Sequence, residues 1–355
     1  MKHIIGGNPA PAGPPVKLVT VDEESAGQRL DNFLMRQLKG VPKTHIYRII
    51  RSGEVRINKG RVSADTRIQA GDVVRVPPVR VSERAAEKTE AMAQQVAQQA
   101  ASGSAPARDF PVLYEDEWFL AINKPAGVAV HGGSGVSFGV IEQLRMARPG
   151  ADYLELVHRL DRETSGILLV AKRRSALKDL QNQFRERETG KTYLAMALGQ
   201  WPANKKVLDK PLHKYLLAGK NGEEGERRVK VVAKDDPDGM PSLTLVKIRA
   251  ASKELSLLEV TIKTGRTHQI RVHLASEGYP IAGDDKYGDF EWNKTQAKAV
   301  GPTTLKRMFL HAWNLKIRHP KTGKAIHLAA ELPVELADYV EHVLPGKYPF
   351  PESPT

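Results

Sequence analysis

Apolar and polar positions alternate with two different periods along this chain, and the change between them divides it. Between Lys17 and Arg80 the leading pattern is helical. In RLDNFLMRQL, Leu30, Phe33, Leu34 and Leu38 fall on one face. A second short helix is predicted in THIYRIIRSG, with Ile46, Ile49 and Ile50 inward and Gly53 just past its end. EVRINKGRV then alternates Val55 and Ile57 with charged residues and reads as a hairpin turning at Asn58-Lys59-Gly60. AGDVVRVPP adds a strand that Pro77-Pro78 stops.

Beyond this segment the helical period is lost. Residues 81–108 are Ala, Gln, Glu and Ser with almost no branched apolar residue, and they read as a linker. From Phe110 to about Leu344, short strands are interrupted by helices: PVLYED, FLAINK, LELV, ILLVAK, KTYLAMALG, RVKVVA, LTLVKIRA, LSLLEVTI and LKIRHP. They follow one another as hairpins more than as a regular βαβ alternation. This predicts an α+β fold with a mixed, mainly antiparallel sheet. The expected divisions are a Pro/Gly/Ala tail at 1–16, a small domain at 17–80, the linker at 81–108, a large domain at 109–345 and a Pro-rich, frayed tail at 346–355.

Charge sharpens the picture. The chain has 355 residues, 54 Lys+Arg against 41 Asp+Glu, and a net charge of +13. A polyanionic partner is expected, nucleic acid ahead of membrane, because no basic amphipathic helix stands out. By count the 17–80 segment alone carries +6. There is no Cys, which excludes thiol nucleophiles, thiolate metal sites and disulfides. No apolar run is long enough to span a bilayer and the first residues lack a signal-peptide core, so a cytoplasmic protein is expected.

Candidate chemistry concentrates in LELVHRLDRETSGILLVAK, residues 154–172. A polar turn from His158 to Gly166 sits between apolar strands, and Ile167–Val170 reads as a strand buried on both faces. Asp161 lies two residues from Arg159 and next to Arg162, at the rim of that strand. Spacing alone leaves an ordinary charged turn as the alternative. His268 and His273 are five apart, unlike the i,i+4 pair of a helical zinc site, so no metal is expected. HGGSGVSFG, residues 131–139, lacks the Lys-Ser/Thr of a phosphate loop and reads as a substrate-facing loop or a connector.

HRLDRETSGILLVAK resembles the signature of the RluA-type pseudouridine synthases. Three further segments agree in order: Tyr114–Glu117 followed by Asn123-Lys124-Pro125-Ala126-Gly127, then Lys191-Thr192-Tyr193-Leu194-Ala195, then Thr264-Gly265-Arg266-Thr267-His268-Gln269-Ile270-Arg271-Val272-His273. The resemblance implies isomerisation of uridine to pseudouridine in RNA, with Asp161 as nucleophile. A carboxylate can add to C6 of the base or C1′ of the sugar and leave again, so no cofactor and no metal are implied. The reactive atoms are hidden in a stacked base, so the uridine is expected to flip out. Arg159 matches the arginine that fills the vacated space; its plain alternative is a surface ion pair with Glu155 or Asp161. Tyr193 matches the aromatic lying against the target base, where spacing alone reads it as core. Arg271 matches the cation paired with the aspartate, on a helix capped by Thr267 and ended by Gly278. Arg266 is the rival for that pairing and otherwise an RNA contact.

GQRLDNFL, the second helix and EVRINKGRV resemble an S4-type RNA-binding module. Arg29, Lys43, Arg48, Arg51, Arg56 and Lys59 are its candidate phosphate contacts, each with a merely solvated charge as the alternative. GQRLDNFLMRQLKGVPKTHIYRIIRSGEVRINKGR, VHGGSGVSFGVIEQLR and KYGDFEWN resemble a subgroup acting on bacterial large-subunit ribosomal RNA. The implied partner is that RNA or its precursor particle, met by a monomer. The competing expectation is a non-catalytic RNA-binding or ribosome-assembly factor that retains the fold.

Overall fold

The computed structural model describes residues 16–22, 25–38, 41–79, 107–132, 138–217 and 226–349. The chain divides into two compact units, residues 1–106 and 107–355. Residues 1–15 of the tail expected at 1–16, residues 81–106 of the linker expected at 81–108 and residues 350–355 of the tail expected at 346–355 lie outside the described residues.

The first unit contains β1 (Lys17–Thr20), α1 (Leu30–Gln37), α2 (Lys43–Arg51), β2 (Arg56–Ile57), β3 (Gly60–Arg61) and β4 (Val73–Val76), with sheet order β1-β4-β2-β3. The apolar faces read from the sequence meet here: Leu30, Phe33, Leu34, Ile46, Ile49 and Ile50 pack on Val55, Ile68, Val74 and Val76. Gly53 has φ +77°, the left-handed conformation that ends α2. The hairpin turn is tighter than expected. Asn58 and Lys59 alone have positive φ, and Gly60 already pairs with Ile57. The Asn58 side chain pays for this backbone by donating to Asp72 Oδ1 (2.8 Å) and accepting from Val73 N–H (2.9 Å).

The second unit runs β5 (Val112–Glu115), β6 (Phe119–Lys124), α3 (Val140–Ala147), β7 (Glu155–Leu156), β8 (Ser165–Ala171), α4 (Arg174–Arg185), β9 (Gly190–Leu198), β10 (Val207–Asp209), β11 (Leu212–Leu217), β12 (Glu226–Val231), β13 (Leu243–Ala251), β14 (Leu255–Ile262), α5 (Gln269–Ser276), α6 (Phe290–Lys298), a short 3-10 turn (Gly301–Thr303), β15 (Leu310–Arg318), β16 (Ala325–Ala329) and α7 (Val334–Val343). Ten strands form one sheet in the order β10-β13-β14-β9-β15-β8-β6-β5, with β7 beside β8 and β16 beside β15. The class is α+β. All pairings in this sheet are antiparallel except β8 with β15. On one side β15 follows β9; on the other its first residues pair with β8 and its last with β16. The sheet forks there, at the start of β8.

Strand β8 explains its own sequence. Ile167, Leu169 and Ala171 face Leu180 of α4, while Leu168 and Val170 face Val140, Ile141 and Leu144 of α3. Burial on both faces requires the unbroken apolar run. Helix α5 packs Ile270 and Leu274 on Val246, Leu258 and Val260, and α7 packs Leu336, Tyr339 and Val340 on Leu194, Met196 and Leu257. The frayed end expected after residue 345 is docked instead as far as Tyr348: its ring joins the α7 cluster and its hydroxyl accepts from Leu332 N–H (3.2 Å). Strands β11 and β12 form a separate two-stranded ribbon. Among the described residues no helix is long and apolar enough to cross a membrane.

Candidate active site

Asp161 sits on the turn that leads into β8, and the turn is tied down from three sides. Thr164 N–H closes it on Asp161 C=O (3.1 Å). Arg162 C=O accepts from Gly127 N–H (2.9 Å) and from Lys124 Nζ (3.1 Å), and Arg162 Nε returns a bond to Gly127 C=O (3.0 Å). Beneath it, Ser165 Oγ lies 2.8 Å from both Arg307 Nη2 and His311 Nδ1. His158 faces away from the site: it stacks on Phe184 at 4.7 Å and accepts from Leu169 N–H (3.1 Å). Burial pushes its pKa down to about 4, as suits a neutral acceptor.

Gly166 permits the close approach of β8 to β15. Its φ is +110°, and a Cβ there would lie 2.3 Å from Ala312 O. Only glycine fits that contact.

Helix α5 supplies the cation. Arg271 Nη1 lies 3.4 Å from Asp161 Oδ2, while its Nε and Nη2 make a bidentate pair with Asp284 (2.7 Å each) and Nη2 also reaches Asp285 (3.0 Å). The guanidinium lies over the Tyr287 ring at 5.2 Å. Burial works against its charge, but the Asp284 bonds, with Asp161 and Asp285 behind them, raise its pKa above the ordinary arginine value. Asp284 is fully buried; burial opposes its charge, and Arg271 overcomes this to hold it below the usual carboxylate range. Arg266, the rival, lines the same cavity as Asp161, but its Nε donates to Pro241 C=O (3.3 Å) and the ion pair to Asp161 is made by Arg271.

The expected Thr267 cap does not form. Helix α5 begins one residue later, after His268, which adopts φ 53° and ψ 22° and makes no side-chain cap. Gln269 takes over instead: its Oε1 accepts from Arg266 N–H (3.0 Å) and Thr264 Oγ1 (2.7 Å), and its Nε2 donates to Leu243 C=O (3.0 Å) and Thr244 Oγ1 (2.9 Å). Gly278, at φ +85°, follows the last turn. His268 turns toward Asp161, its Nε2 3.8 Å from Oδ2, and its Nδ1 lies 2.8 Å from Tyr287 Oη. His273 diverges from it, with Nδ1 2.9 Å from Thr244 Oγ1 and Nε2 2.9 Å from Lys210 C=O. Among the described residues the one group with metal-ligand spacing is His213, Asp236 and Asp238, and exposed acidic groups like these are common without an ion.

A cavity of about 110 Å³ opens on Asp161, lined by Arg159, Tyr193, Ile262, His268, Arg271 and Leu310 among others. A second, of about 440 Å³, also reaches Asp161 and is lined by His131, Arg162, Asp285 and Lys286 among others. Tyr193 is half-buried on β9, opposite Val260 on one side and Ala312 on the other. Burial first, then the Asp161 charge, push its hydroxyl pKa up, so the phenol is neutral. Arg159 is exposed and, among the described residues, forms no ion pair; Glu155 pairs with Arg145 at 2.9 Å instead.

In the small unit the candidate contacts separate by partner. Arg29 is bound to buried Asp31 through Nε (3.1 Å) and Nη2 (2.7 Å), and Tyr47 Oη completes that group (3.0 Å). Arg56 curls onto Gly53 C=O (3.2 Å) and Lys59 C=O (3.4 Å). Lys43, Arg48, Arg51 and Lys59 are exposed. Sequence reasoning missed Asp284, Asp285 and Tyr287 as parts of the site, since only folding brings residues 13 to 16 positions beyond Arg271 back beside it.

A family model described as RNA pseudouridylate synthase matches residues 118–276, and an S4 domain model matches residues 28–74. The chain is 49% identical over 321 residues to a ribosomal large subunit pseudouridine synthase C from Pasteurella multocida (strain Pm70), covering 90% of this chain and 92% of that one. It is 50% identical over 319 residues to the protein of that name from Escherichia coli (strain K12), covering 90% and 94%. Among solved structures, human RNA pseudouridylate synthase domain containing 4 superposes with a TM-score of 0.54 at 24% identity, over 70% of this chain and 97% of that one, a likeness of fold.

Proposed function

Because the chain belongs to the RNA pseudouridylate synthase family and is an RNA-modifying isomerase, we propose that it converts uridine to pseudouridine in large-subunit ribosomal RNA, with Asp161 as nucleophile. The substrate is the one named for its relatives, and the S4 match supplies an RNA-binding module to go with it. Such a module raises the local concentration of RNA at the second unit. The compartment is then that of the bacterial ribosome, the cytoplasm, and the protein acts there as a monomer on the RNA or its precursor particle.

The observation that carries this reading is the Asp161–Arg271 pair at the mouth of a cavity shared with Tyr193 and Arg159. The reaction breaks the N1–C1′ bond, turns the base, forms C5–C1′, releases the C5 proton to water and takes a proton up at N1, so that product and substrate are isomers. Asp161 adds covalently, at C6 or C1′, and is expelled when the new glycosidic bond is made. Arg271 holds the carboxylate in place and balances its charge in a site that loses water when RNA binds. Tyr193, neutral, offers a ring surface and an un-ionised hydroxyl to the flipped base. Arg159, exposed at the cavity rim and without an ion pair among the described residues, enters the space the base vacates.

RNA carrying tritium at uridine C5 tests the proposal. Wild type is expected to release tritium from authentic large-subunit RNA, and Asp161→Asn to release none. Binding without release by wild type would assign the competing role of a non-catalytic assembly factor.

A further inference from the structure

We propose that His268 is a positioning residue: it presents one N–H, on Nε2, to Oδ2 of Asp161, and Tyr287 dictates which ring nitrogen carries that proton. The proposal rests on Asp161 being the nucleophile. Its starting point is the backbone. His268 is one of four non-glycine described residues with positive φ, and the only one at the site. A non-glycine residue in the left-handed region costs free energy and persists where the surroundings require it. Here the conformation takes His268 off the end of α5 and directs its ring at Asp161.

The proton assignment follows from the hydroxyl of Tyr287. Its oxygen accepts from Val229 N–H of β12 at 3.0 Å and lies 2.8 Å from His268 Nδ1. A phenol whose oxygen already accepts has its own proton left to give, and Nδ1 is the atom in reach. Nδ1 is therefore the acceptor, and the neutral ring carries its hydrogen on Nε2, 3.8 Å from Asp161 Oδ2. The opposite tautomer would aim a lone pair at a carboxylate. Burial keeps the imidazole below the ordinary histidine pKa. Asp161 and Asp284 pull toward the charged form, and Arg271 and Lys286 push against it. Contacts of this length in a free enzyme tighten when substrate engages.

The consequence lies in the geometry of the carboxylate. Arg271 Nη1, at 3.4 Å, and His268 Nε2 address the same oxygen, Oδ2, and no described residue bonds Oδ1. When Nε2 closes on Oδ2 beside Arg271 as RNA binds, the rotation of the Asp161 side chain is fixed and Oδ1 is left as the atom that attacks.

The test uses the full-length protein and tritium release from C5-labelled large-subunit RNA, with kcat and KM measured separately and folding checked by thermal melting. His268→Asn keeps the backbone comfortable, since Asn tolerates the left-handed region best, but is too short to reach Asp161. It is expected to lower kcat about 10- to 100-fold, with KM changed by less than about twofold. His268→Gln, whose amide nitrogen reaches the Nε2 position, should recover most of that loss. Tyr287→Phe should lower kcat in the wild-type background but add little to His268→Gln, because an amide has no tautomer to set. A purely structural role predicts the reverse order, with Asn the best replacement. Wild-type activity in His268→Asn, Gln no better than Asn, or equal Tyr287→Phe losses in both backgrounds would each overturn the proposal. The nucleophile reading is scored apart from it: it stands or falls with an active wild type and a silent Asp161→Asn.

Discussion

Lys124 Nζ donates to the carbonyl of Arg162, the residue that follows Asp161, at 3.1 Å. Its other two protons go to Pro125 C=O (2.8 Å) and Val128 C=O (2.9 Å). The lysine is fully buried, and burial, with Arg307 nearby, pushes its pKa down to about 7. One side chain thus joins the end of β6 to the turn that carries the nucleophile. Lys124→Met is expected to take a donor from three carbonyls, of which Arg162 C=O keeps its bond from Gly127 N–H, and to lower stability at neutral pH by about 2–4 kcal/mol, with a loss of turnover as the turn loosens. The pH dependence has a defined sign. A lysine whose folded pKa lies below its unfolded one gives up its proton on folding, so stability is penalised below about pH 7 and recovers as pH rises toward about 10. Urea unfolding at several pH values should show wild type gaining stability relative to Lys124→Met across that window. Parallel curves would mean that Lys124 does not titrate there.

Arg271 serves two acids at once, and its removal should show both losses. Arg271→Ala is expected to abolish tritium release and to destabilise the fold by about 3–5 kcal/mol, because Asp284 is left buried without its partner. Arg271→Lys keeps the charge but not the fork that grips Asp284, so intermediate stability with a large loss of turnover is expected. Denaturation midpoints and release rates on the same preparations check this.

Arg159 is exposed at the cavity rim, and its loss should leave docking nearly intact. Arg159→Ala is expected to reduce turnover by about tenfold or more, while RNA affinity changes by less than about threefold, since one cation contributes little to a many-contact complex. Filter binding beside single-turnover kinetics separates the two. Equal losses in both would withdraw the base-replacement role.

Gly166 tests whether the β8–β15 contact builds the site. Gly166→Ala places a methyl carbon where Ala312 O already stands, on a backbone with φ +110°. A loss of several kcal/mol, or failure to fold, is expected. A normal melting temperature would show that the strands can separate at no cost.

Much of this was legible in the sequence because it depends on local spacing. The apolar faces of α1 and α2 and the run that becomes β8 each declare their burial residue by residue, and the segments LTLVKIRA and LSLLEVTI fall on β13 and β14. Strands β10, β11 and β16 did not announce themselves, being short or largely exposed, with little apolar alternation to read. At the site, Asp161, Tyr193 and Arg271 lie in recognisable segments, whereas Asp284 is one acid among many until the chain folds back on α5. Thr267 looked like a helix cap because Thr caps helices; the left-handed His268 moves the helix start past it, a detail that only the surrounding contacts impose.

The single parallel pairing also has a consequence for the order in which the enzyme is made. His311 and Ser165 are 146 positions apart, yet their side chains bond at 2.8 Å beneath the nucleophile turn. A ribosome releasing this chain from its N-terminus exposes β6 and β8 long before β15 exists, and contacts of such separation form late and slowly. The RNA-binding module can therefore be complete while the nucleophile still lacks its foundation. Competence for chemistry arrives only once β15 has been made.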